Sequence, residues 1–600
     1  MIRLSVIIPT FNRRHVLERT LPTILAQDLP PEDYELIVVV DGSTDGTAEF
    51  LDGLKPKCAF RVLEAPHRGA GAARNVGVRA AVGELVLLLD DDYRIVPDLF
   101  RHHCDAHAGR RGIIVNGPVI VTPDSSQTMM RYIVECAHRD RVSQLHPDVE
   151  VRFPEGIPSS IPAISFLANC SMDRDLFLRS GGFDELVPAA EDLELGLRLW
   201  KMGVPFRYEP KAIAYEYFVK SSRQYLKKQA RELGVGDLRI SRKHPEYRPY
   251  ARLAHLAKTS FSKKWVREAF VRSPISLAPL LALPLRMEEW FYRIGLMRHA
   301  GLRLFRAAEA VTIMRSSMNS AGSWAALKSE FDRKLPVLMY HHVGPYRPGT
   351  YRPITISPEQ FERQVQWLAR RGYAGITSSD WLRWLREGKG LPEKPILLTF
   401  DDAYADVAQF ALPILKRYGF NAAVFVVTGR LGGTNTWDEG QGRGSLTLMT
   451  AEQIRFWAGQ GVEFGSHGRT HADLTKLSAA EAEAEVVGSK SDLSELLGSP
   501  AISFAYPYGE RNESVEKLIR SHFDLAFGKE PGLNYLQDDP HAMRRAYVSA
   551  EDSLLEFAFS VRWGGLQRFR DWRARFGVRS RVKSAVKSLL HSCGNMTAGR

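Results

Sequence analysis

Two groups of residues in this chain are of types that do chemistry. The apolar run Leu85–Leu89 passes straight into Asp90-Asp91-Asp92. Three carboxylates at the end of a buried strand are costly unless something positive neutralises them. A divalent cation bound to a diphosphate does so, and hard oxygen ligands suit Mg2+ or Mn2+. An acidic loop is the plain alternative, and a lone Asp-x-Asp does not choose between them. The run Leu36–Val40 also ends in an acid, within Asp41-Gly42-Ser43-Thr44-Asp45-Gly46-Thr47. Ligands in open α/β sheets bind beyond the carboxyl ends of strands. Small residues there permit a tight turn, and Asp45 or Thr47 suits the cap of the next helix. Gly69-Ala70-Gly71-Ala72-Ala73-Arg74-Asn75 then offers close backbone approach and, in Arg74, a cation for phosphate.

The second group lies late in the chain. Ile396–Phe400 ends in Asp401-Asp402, and Glu463–Ser466 ends in His467-Gly468-Arg469-Thr470-His471. Two histidines at i and i+4 plus a carboxylate make a His2Asp set. Zn2+ accepts that mix, and open positions mark a catalytic rather than a structural site. Asp401 is the spare acid and suits a base toward water. A surface turn for the histidines and a helix cap for the acids are the plain alternatives.

The elements around these groups set the architecture. The chain has 600 residues, which at roughly 100–200 residues per domain means about three or four units. Its 44% hydrophobic and 25% charged content is that of a globular protein. From Met1 to about Val219, short apolar runs (Leu4–Pro9, Glu35–Val40, Phe60–Leu63, Glu84–Leu89) alternate with helical stretches such as Arg14–Gln27 and Gly71–Ala81. That alternation predicts an α/β domain with a largely parallel sheet. A second alternation starts at Pro336–Tyr340 and runs to about Trp572, through Pro395–Phe400, Ala422–Val427, Glu463–Ser466 and Ile502–Tyr506. Between them the chain is helix-prone and basic, with Arg223, Lys227, Lys228, Arg231, Lys263, Lys264 and Arg267. There Ser273–Leu285 is apolar but broken by prolines, and Met287–Phe305 is amphipathic. Two readings stand side by side: a helix in the membrane interface, or a helical linker packed on the first domain. The expected domains are residues 1–219, 220–332 and 333–572, with a basic tail at 573–600.

The net charge of +12 points to polyanionic partners. No nucleic-acid motif is present, which leaves a sugar nucleotide and an anionic membrane surface. The five cysteines (Cys58, Cys104, Cys136, Cys170, Cys593) are odd in number and form no CxxC pair, so a reducing compartment is expected. Leu4–Pro9 is too short for a signal peptide, and no run reaches the roughly 18–20 apolar residues that span a bilayer. The expectation is a cytoplasmic protein, with peripheral attachment to the inner face of the plasma membrane as its variant.

In order along residues 1–219, the chain reads Val6-Ile7-Ile8-Pro9-Thr10-Phe11-Asn12, Val40-Asp41-Gly42-Ser43-Thr44-Asp45-Gly46-Thr47, Ala73-Arg74-Asn75-Val76-Gly77 and Leu89-Asp90-Asp91-Asp92. Gly181-Gly182-Phe183-Asp184-Glu185 and Glu191-Asp192-Leu193-Glu194-Leu195-Gly196-Leu197-Arg198 follow, then Gly203. This series resembles the family 2 glycosyltransferases of GT-A fold. The resemblance implies a nucleotide-sugar donor, UDP-sugar favoured, with Asp41 on the nucleobase and Thr10 near it. It puts Arg74 and Asp91 on the donor, and Asp90 and Asp92 on its metal. Asp192 is then the general base toward the acceptor hydroxyl, giving inversion. Relatives often carry a histidine after the last core strand. Here Ala214-Tyr215-Glu216-Tyr217 stands there, so Glu216 substitutes for it or the ligand is absent. Gln-x-x-Arg-Trp is missing, so single addition fits better than polymerisation.

Pro336-Val337-Leu338-Met339-Tyr340-His341-His342-Val343, Leu398-Thr399-Phe400-Asp401-Asp402, Ser466-His467-Gly468-Arg469-Thr470-His471 and Phe504-Ala505-Tyr506-Pro507-Tyr508-Gly509 resemble the NodB-type polysaccharide deacetylases, carbohydrate esterase family 4. The resemblance implies an irregular (β/α) barrel with its site at the strand ends. It makes Asp402, His467 and His471 ligands of Zn2+ or a similar metal, and Asp401 the base. The backbone N–H of Tyr508 helps hold the oxyanion, and Trp437-Asp438 line the groove. His541 is the late candidate for general acid, with His522 the other late histidine. His341 and His342 suit substrate contact or packing equally.

The leading reading is a bifunctional carbohydrate enzyme. It transfers a sugar, with N-acetylhexosamine as the candidate, and deacetylates a glycan or lipid-linked glycan precursor. The alternative is a glycosyltransferase whose C-terminal domain binds glycan without catalysis.

Overall fold

The computed structural model describes residues 2–122, 168–217, 221–256, 271–272, 298–346, 354–438 and 445–565. The apolar Ser273–Leu285 run, the first part of Met287–Phe305, Lys263, Lys264, Arg267, Cys136, Cys593 and the tail 573–600 lie outside them, with the expectations placed there. Among the described residues no helix is long and apolar enough to cross a membrane. The chain divides into two compact units: Met1–Leu253 with Thr259–Leu327, and Ala254–Lys258 with Lys328–Arg600.

In the first unit, β1 (Leu4–Thr10) leads through α1 (Arg14–Leu25) to β2 (Tyr34–Asp41) and β3 (Ala59–Ala65). Helix α2 (Ala70–Ala80) precedes β4 (Leu85–Leu88) and β5 (Tyr93–Ile95). Then come α3 (Leu99–Ala106), β6 (Ile114–Asn116), β7 (Val119–Val121) and β8 (Cys170–Asp173). Helix α4 (Glu191–Lys201), β9 (Phe206–Tyr208), β10 (Ala214–Glu216), α5 (Gln229–Lys243) and α6 (Arg298–Ala321) complete it. Every residue of β1 and β2 is buried, the mark of strands covered on both faces. The seven-stranded sheet runs β3-β2-β1-β4-β8-β6-β9. β1 pairs in parallel with β2 on one side and β4 on the other. The chain therefore winds outward from β1 and returns across it, which opens a crevice at the carboxyl ends of β1, β2 and β4. Thr10, Asp41 and Asp90 stand at those ends. Helix α2 lies close on β1: a Cβ built on Gly77 falls 2.5 Å from Ile7 Cγ2. A side sheet, β5-β10-β7, sets Glu216 opposite Tyr93.

The basic stretch after residue 219 is part of this unit where it is described. Helices α5 and α6 pack along one another, and Tyr225 donates to Glu309 at 2.7 Å.

The second unit is built on β11 (Val337–Tyr340), β12 (Ala374–Gly375), β13 (Pro395–Phe400), β14 (Ala423–Val426), β15 (Glu463–Ser466), β16 (Ser503–Ala505), β17 (Leu525–Phe527) and β18 (Ala546–Tyr547). All of their pairings are parallel, in the order β17-β16-β15-β14-β13-β11-β18, with β12 also on β13. One stretch brings the sheet round toward closure. Met543 bridges Phe527 of β17, and three residues later Ala546 pairs with Leu338 of β11. The fold is the irregular barrel expected, with a core that includes Leu338, Phe361, Ile396, Phe400, Val424 and Phe504.

Candidate active sites

In the first unit the crevice is lined by carboxylates, each already met by a cation or a backbone donor. Asp41 is buried and accepts from the N–H groups of Arg68 and Gly69, both at 2.9 Å, while His67 Nδ1 lies 2.8 Å away. The His67 ring stacks on Phe11 at 3.8 Å. Asn12 Oδ1 accepts from the Thr44 N–H at 2.7 Å, which laces the loops after β1 and β2 together. Asp45 accepts from the N–H groups of Thr47 at 3.2 Å and Arg14 at 3.1 Å. The residue before the helix Thr47–Asp52 is Gly46, with no side-chain cap.

Thr10 donates to Asp91 at 2.8 Å, and Arg13 bridges Asp91 and Asp92, both at 2.8 Å. Burial raises the Asp91 carboxyl to about 7, against the opposing charge of Arg13. Asp91 thus faces inward, a buried tie between Thr10 and Arg13. Arg74, also buried, spans Asp90 at 2.5 Å and Glu191 at 3.0 Å, and the charge of Asp192 acts on it as well. Arg74, expected as a cation for phosphate, bridges the acid run and the start of α4. Asp192 itself sits in the first turn of α4, where the helix dipole favours acids. The Tyr217 N–H donates to the Asp92 carbonyl at 2.8 Å, so Glu216 runs beside the acid run.

In the second unit the strand ends bring four expected residues together. Asp402 Oδ1 lies 3.2 Å from His471 Nε2 and 3.6 Å from His467 Nε2. All three residues are buried, and their ligand atoms lie within 4.8 Å of one another. His467 Nδ1 lies 2.7 Å from the Ala505 carbonyl, which fixes that nitrogen as the donor and leaves Nε2 as a lone pair facing Asp402. Asp402 Oδ1 is buried without a hydrogen-bond donor. Burial brings His467 down to about 4, so the ring is neutral at physiological pH. Burial alone would raise Asp402, but the His471 imidazole beside it, and then His467, hold it well below the carboxylate range. The His467 lone pair, the second imidazole and one ionised carboxylate oxygen, gathered within 4.8 Å, fit a divalent metal. Asp402 at φ 70°, Ala403 at 54°, His471 at 64° and Tyr508 at 58° are left-handed. Such strain in non-glycine residues gathers at functional sites.

This is the one set of three metal-type ligands found among the described residues. Asp90 and Asp92 are each neutralised by an arginine and form no such set with Glu216.

Asp401, beside the His2Asp set, is gripped by both arms of Arg545, at 2.6 and 2.9 Å. Arg545 is itself 1% exposed. Burial would raise Asp401, yet Arg545 brings it below the usual range and keeps it ionised. Trp437 stacks on His471 at 4.5 Å, and the Tyr508 ring meets the same imidazole edge-on at 4.6 Å. Both aromatics line an open groove of about 610 Å³ together with Arg430, Asp473, Lys476 and Glu510. Asp438 is not on that groove; it is buried and accepts from Asn435 at 3.1 Å.

His541 is not brought to this site. Its Nε2 lies 2.7 Å from the Phe523 carbonyl and its Nδ1 3.1 Å from Arg520. Phe523 precedes β17, so His541 stands at the opposite end of the sheet from Asp401. From there Met543 bridges Phe527, and four residues on from His541 the chain delivers Arg545 to Asp401. At about 3.3 Å per residue that is roughly 13 Å of travel. His522 is likewise turned back on the Leu518 carbonyl at 2.9 Å. His341, in contrast, follows β11 directly beside Asp401, whose N–H donates to the Tyr340 carbonyl at 3.0 Å. Its charge acts on both Asp401 and Asp402, and its Nδ1 is buried without a hydrogen-bond partner. Sequence alone gives His341 no preference over packing and does not point to Arg545 or Arg13. A buried Asp401 with no local cation was the available signal, since such a charge demands a partner.

Two α/β units thus present one set of acids at a sheet crevice and one His2Asp set at parallel strand ends. The comparisons agree in chain order. Residues 5–156 match Glycosyl transferase family 2, residues 85–305 match Glycosyl transferase family group 2, and residues 388–523 match Polysaccharide deacetylase. YxkH of Bacillus subtilis (strain 168), whose name gives it provisionally as a polysaccharide deacetylase, is 28% identical over 242 residues, 40% of this chain and 80% of that protein. The validoxylamine A glucosyltransferase of Streptomyces hygroscopicus subsp. limoneus is 33% identical over 221 residues, 34% of this chain but only 49% of that protein. The poly-beta-1,6-N-acetyl-D-glucosamine N-deacetylase of Staphylococcus aureus (strain MRSA252) is 27% identical over 190 residues, 30% of this chain and 60% of that protein. The chain thus carries a family 2 glycosyltransferase domain followed by a polysaccharide deacetylase domain.

Proposed function

We propose that the chain transfers an N-acetylhexosamine from a UDP-sugar to a glycan or lipid-linked glycan acceptor with inversion, and removes an N-acetyl group from the product or a related glycan. The observation that carries the second activity is Asp401, held ionised in the fork of Arg545 beside the His2Asp set. Asp401 takes the proton from the attacking water. A charge-assisted bidentate pair fixes the carboxylate's plane as well as its charge. Asp402, His467 and His471 would hold Zn2+ or a similar divalent ion, which when bound polarises the acetyl carbonyl. The backbone N–H of Tyr508 supports the developing oxyanion. His341 delivers a proton to the leaving nitrogen. The Trp437 and Tyr508 rings flank the groove and suit the apolar face of a sugar ring.

For transfer, Asp41 with His67 and Phe11 forms the nucleobase corner. Asp192 takes the proton of the acceptor hydroxyl. Arg74 ties Asp90 to Glu191, and so links the donor end of the crevice to the helix that bears the base. The N-acetylhexosamine reading rests on the deacetylase domain itself, which needs an acetamido group to act upon.

Acetate release from chitooligosaccharides with added Zn2+ or Co2+, against Asp401→Asn, tests the deacetylase. Release by the wild type and its loss in the variant are expected. No release from any N-acetylated glycan tested would favour a binding module.

A further inference from the structure

Helix α5 carries two glycines two residues apart, and each meets a different neighbour. A Cβ built on Gly236 lies 2.2 Å from the Ala189 carbonyl oxygen. One built on Gly234 lies 2.1 Å from Ser316 Oγ and 2.3 Å from the Ile313 carbonyl oxygen, both on α6. Neither position admits a side chain without moving backbone. Alanine is the better helix former, so α5 gives up helix propensity twice and gains backbone contact on two sides.

Ala189 and Ala190 form the turn from which α4 and Asp192 start. Ala190 holds φ 62°, a left-handed conformation that alanine keeps only where its surroundings over-determine it. The far end of α5 reaches α4 too. Lys243 Nζ binds Glu194 at 2.7 Å and Asp184 at 2.6 Å, and His244 Nε2 stands 3.0 Å from Glu194. Glu194 is fully buried in α4. Asp184 follows Phe183, whose ring centre lies 5.4 Å from the Arg74 guanidinium. Behind α5, Ser317 Oγ donates to the Gly234 carbonyl at 2.8 Å.

We propose that α5, backed by α6, is a positioning brace for the acceptor side of the transferase site. Gly236 seats the Ala189–Ala190 turn, and Lys243 locks Glu194 to Asp184, so that α4 presents Asp192 in one fixed place. The inference rests on the reading of Asp192 as the base.

The test uses the full chain with Lys243→Gln, Lys243→Arg and Gly236→Ala. Four quantities are read: amide exchange over residues 187–199, UDP affinity by calorimetry, turnover of UDP-N-acetylglucosamine as UDP release, and melting temperature. Lys243→Gln is expected to speed exchange over 187–199 at least fivefold and lower kcat at least tenfold, with donor KM and UDP affinity within twofold. Lys243→Arg is expected to restore both. Gly236→Ala is expected to lower the melting temperature, although alanine favours helix. Unchanged exchange in Lys243→Gln, or UDP affinity lost in step with kcat, overturns the brace. Asp192→Asn separates the two ideas: if it keeps full turnover, the base assignment fails, while the exchange data still decide the brace.

Discussion

A buried carboxylate survives only with a partner, and the partners found here come from far along the chain. Asp401 meets Arg545 across 144 positions, and Asp91 meets Arg13 across 78. The acids themselves were legible, because each ends an apolar run at a strand's carboxyl end. Their arginines were not, because nothing local in Met543-Arg544-Arg545 says which of its side chains turns inward. Removing Arg545 leaves an uncompensated buried charge, for which about 3–5 kcal/mol of destabilisation is usual. Arg545→Met should therefore unfold several degrees earlier and lose deacetylation. Arg545→Lys should recover charge but not the fork, and with it only part of the activity. Normal acetate release by Arg545→Met would remove the arginine from the account. The histidines make a sharper contrast. General acids contribute roughly 10²–10⁴-fold, so His341→Ala should lower kcat for acetate release by at least about 100-fold. His541→Gln should change it little while lowering thermal stability, because it loses the Phe523 and Arg520 contacts. The reverse ranking would restore His541.

At the scale of elements, the strands were the most legible feature. β1, β2 and β13 are mostly apolar and buried throughout, and runs of that kind belong to parallel strands covered on both faces. Helix placement was less legible. The segment after residue 219 read equally as interfacial helix or linker, because basic amphipathic helices serve both. Tertiary contact decided α5, through glycines whose purpose appears only once a neighbour is beside them. Gly77 allows a plain test of such contact. Its added Cβ would fall 2.5 Å from Ile7 Cγ2 in β1. Overpacking typically costs about 1–3 kcal/mol, so Gly77→Ala should lower the urea midpoint of the first unit by that equivalent. A variant as stable as wild type would mean that α2 can lift off the sheet freely.

At the scale of the whole molecule, acid should act on the first unit through two histidines that hold α3 to β8. His103 Nδ1 lies 2.8 Å and His107 Nε2 2.9 Å from Ser171 Oγ. Burial lowers His103 to about 3 and His107 to about 4. Both folded values lie below the unfolded value of about 6.5, so the unfolded chain takes protons that the native one refuses. Their stability is whole above about pH 6.5 and is lost as pH falls toward 4, by at most roughly 1.4 kcal/mol per pH unit for each. The denaturant midpoint of the first unit should drop between pH 7 and pH 5, and His107→Asn should flatten that drop. An unchanged midpoint would show that neither ring stays neutral.

Two sites on one chain remain the central claim, and a crossed pair of variants tests it most directly. Asp192→Asn and Asp401→Asn, each in the full chain, are assayed side by side for UDP release and for acetate release. The account predicts that Asp192→Asn loses UDP release alone and Asp401→Asn loses acetate release alone. Both activities intact in either variant, or both lost together in a folded protein, would contradict it.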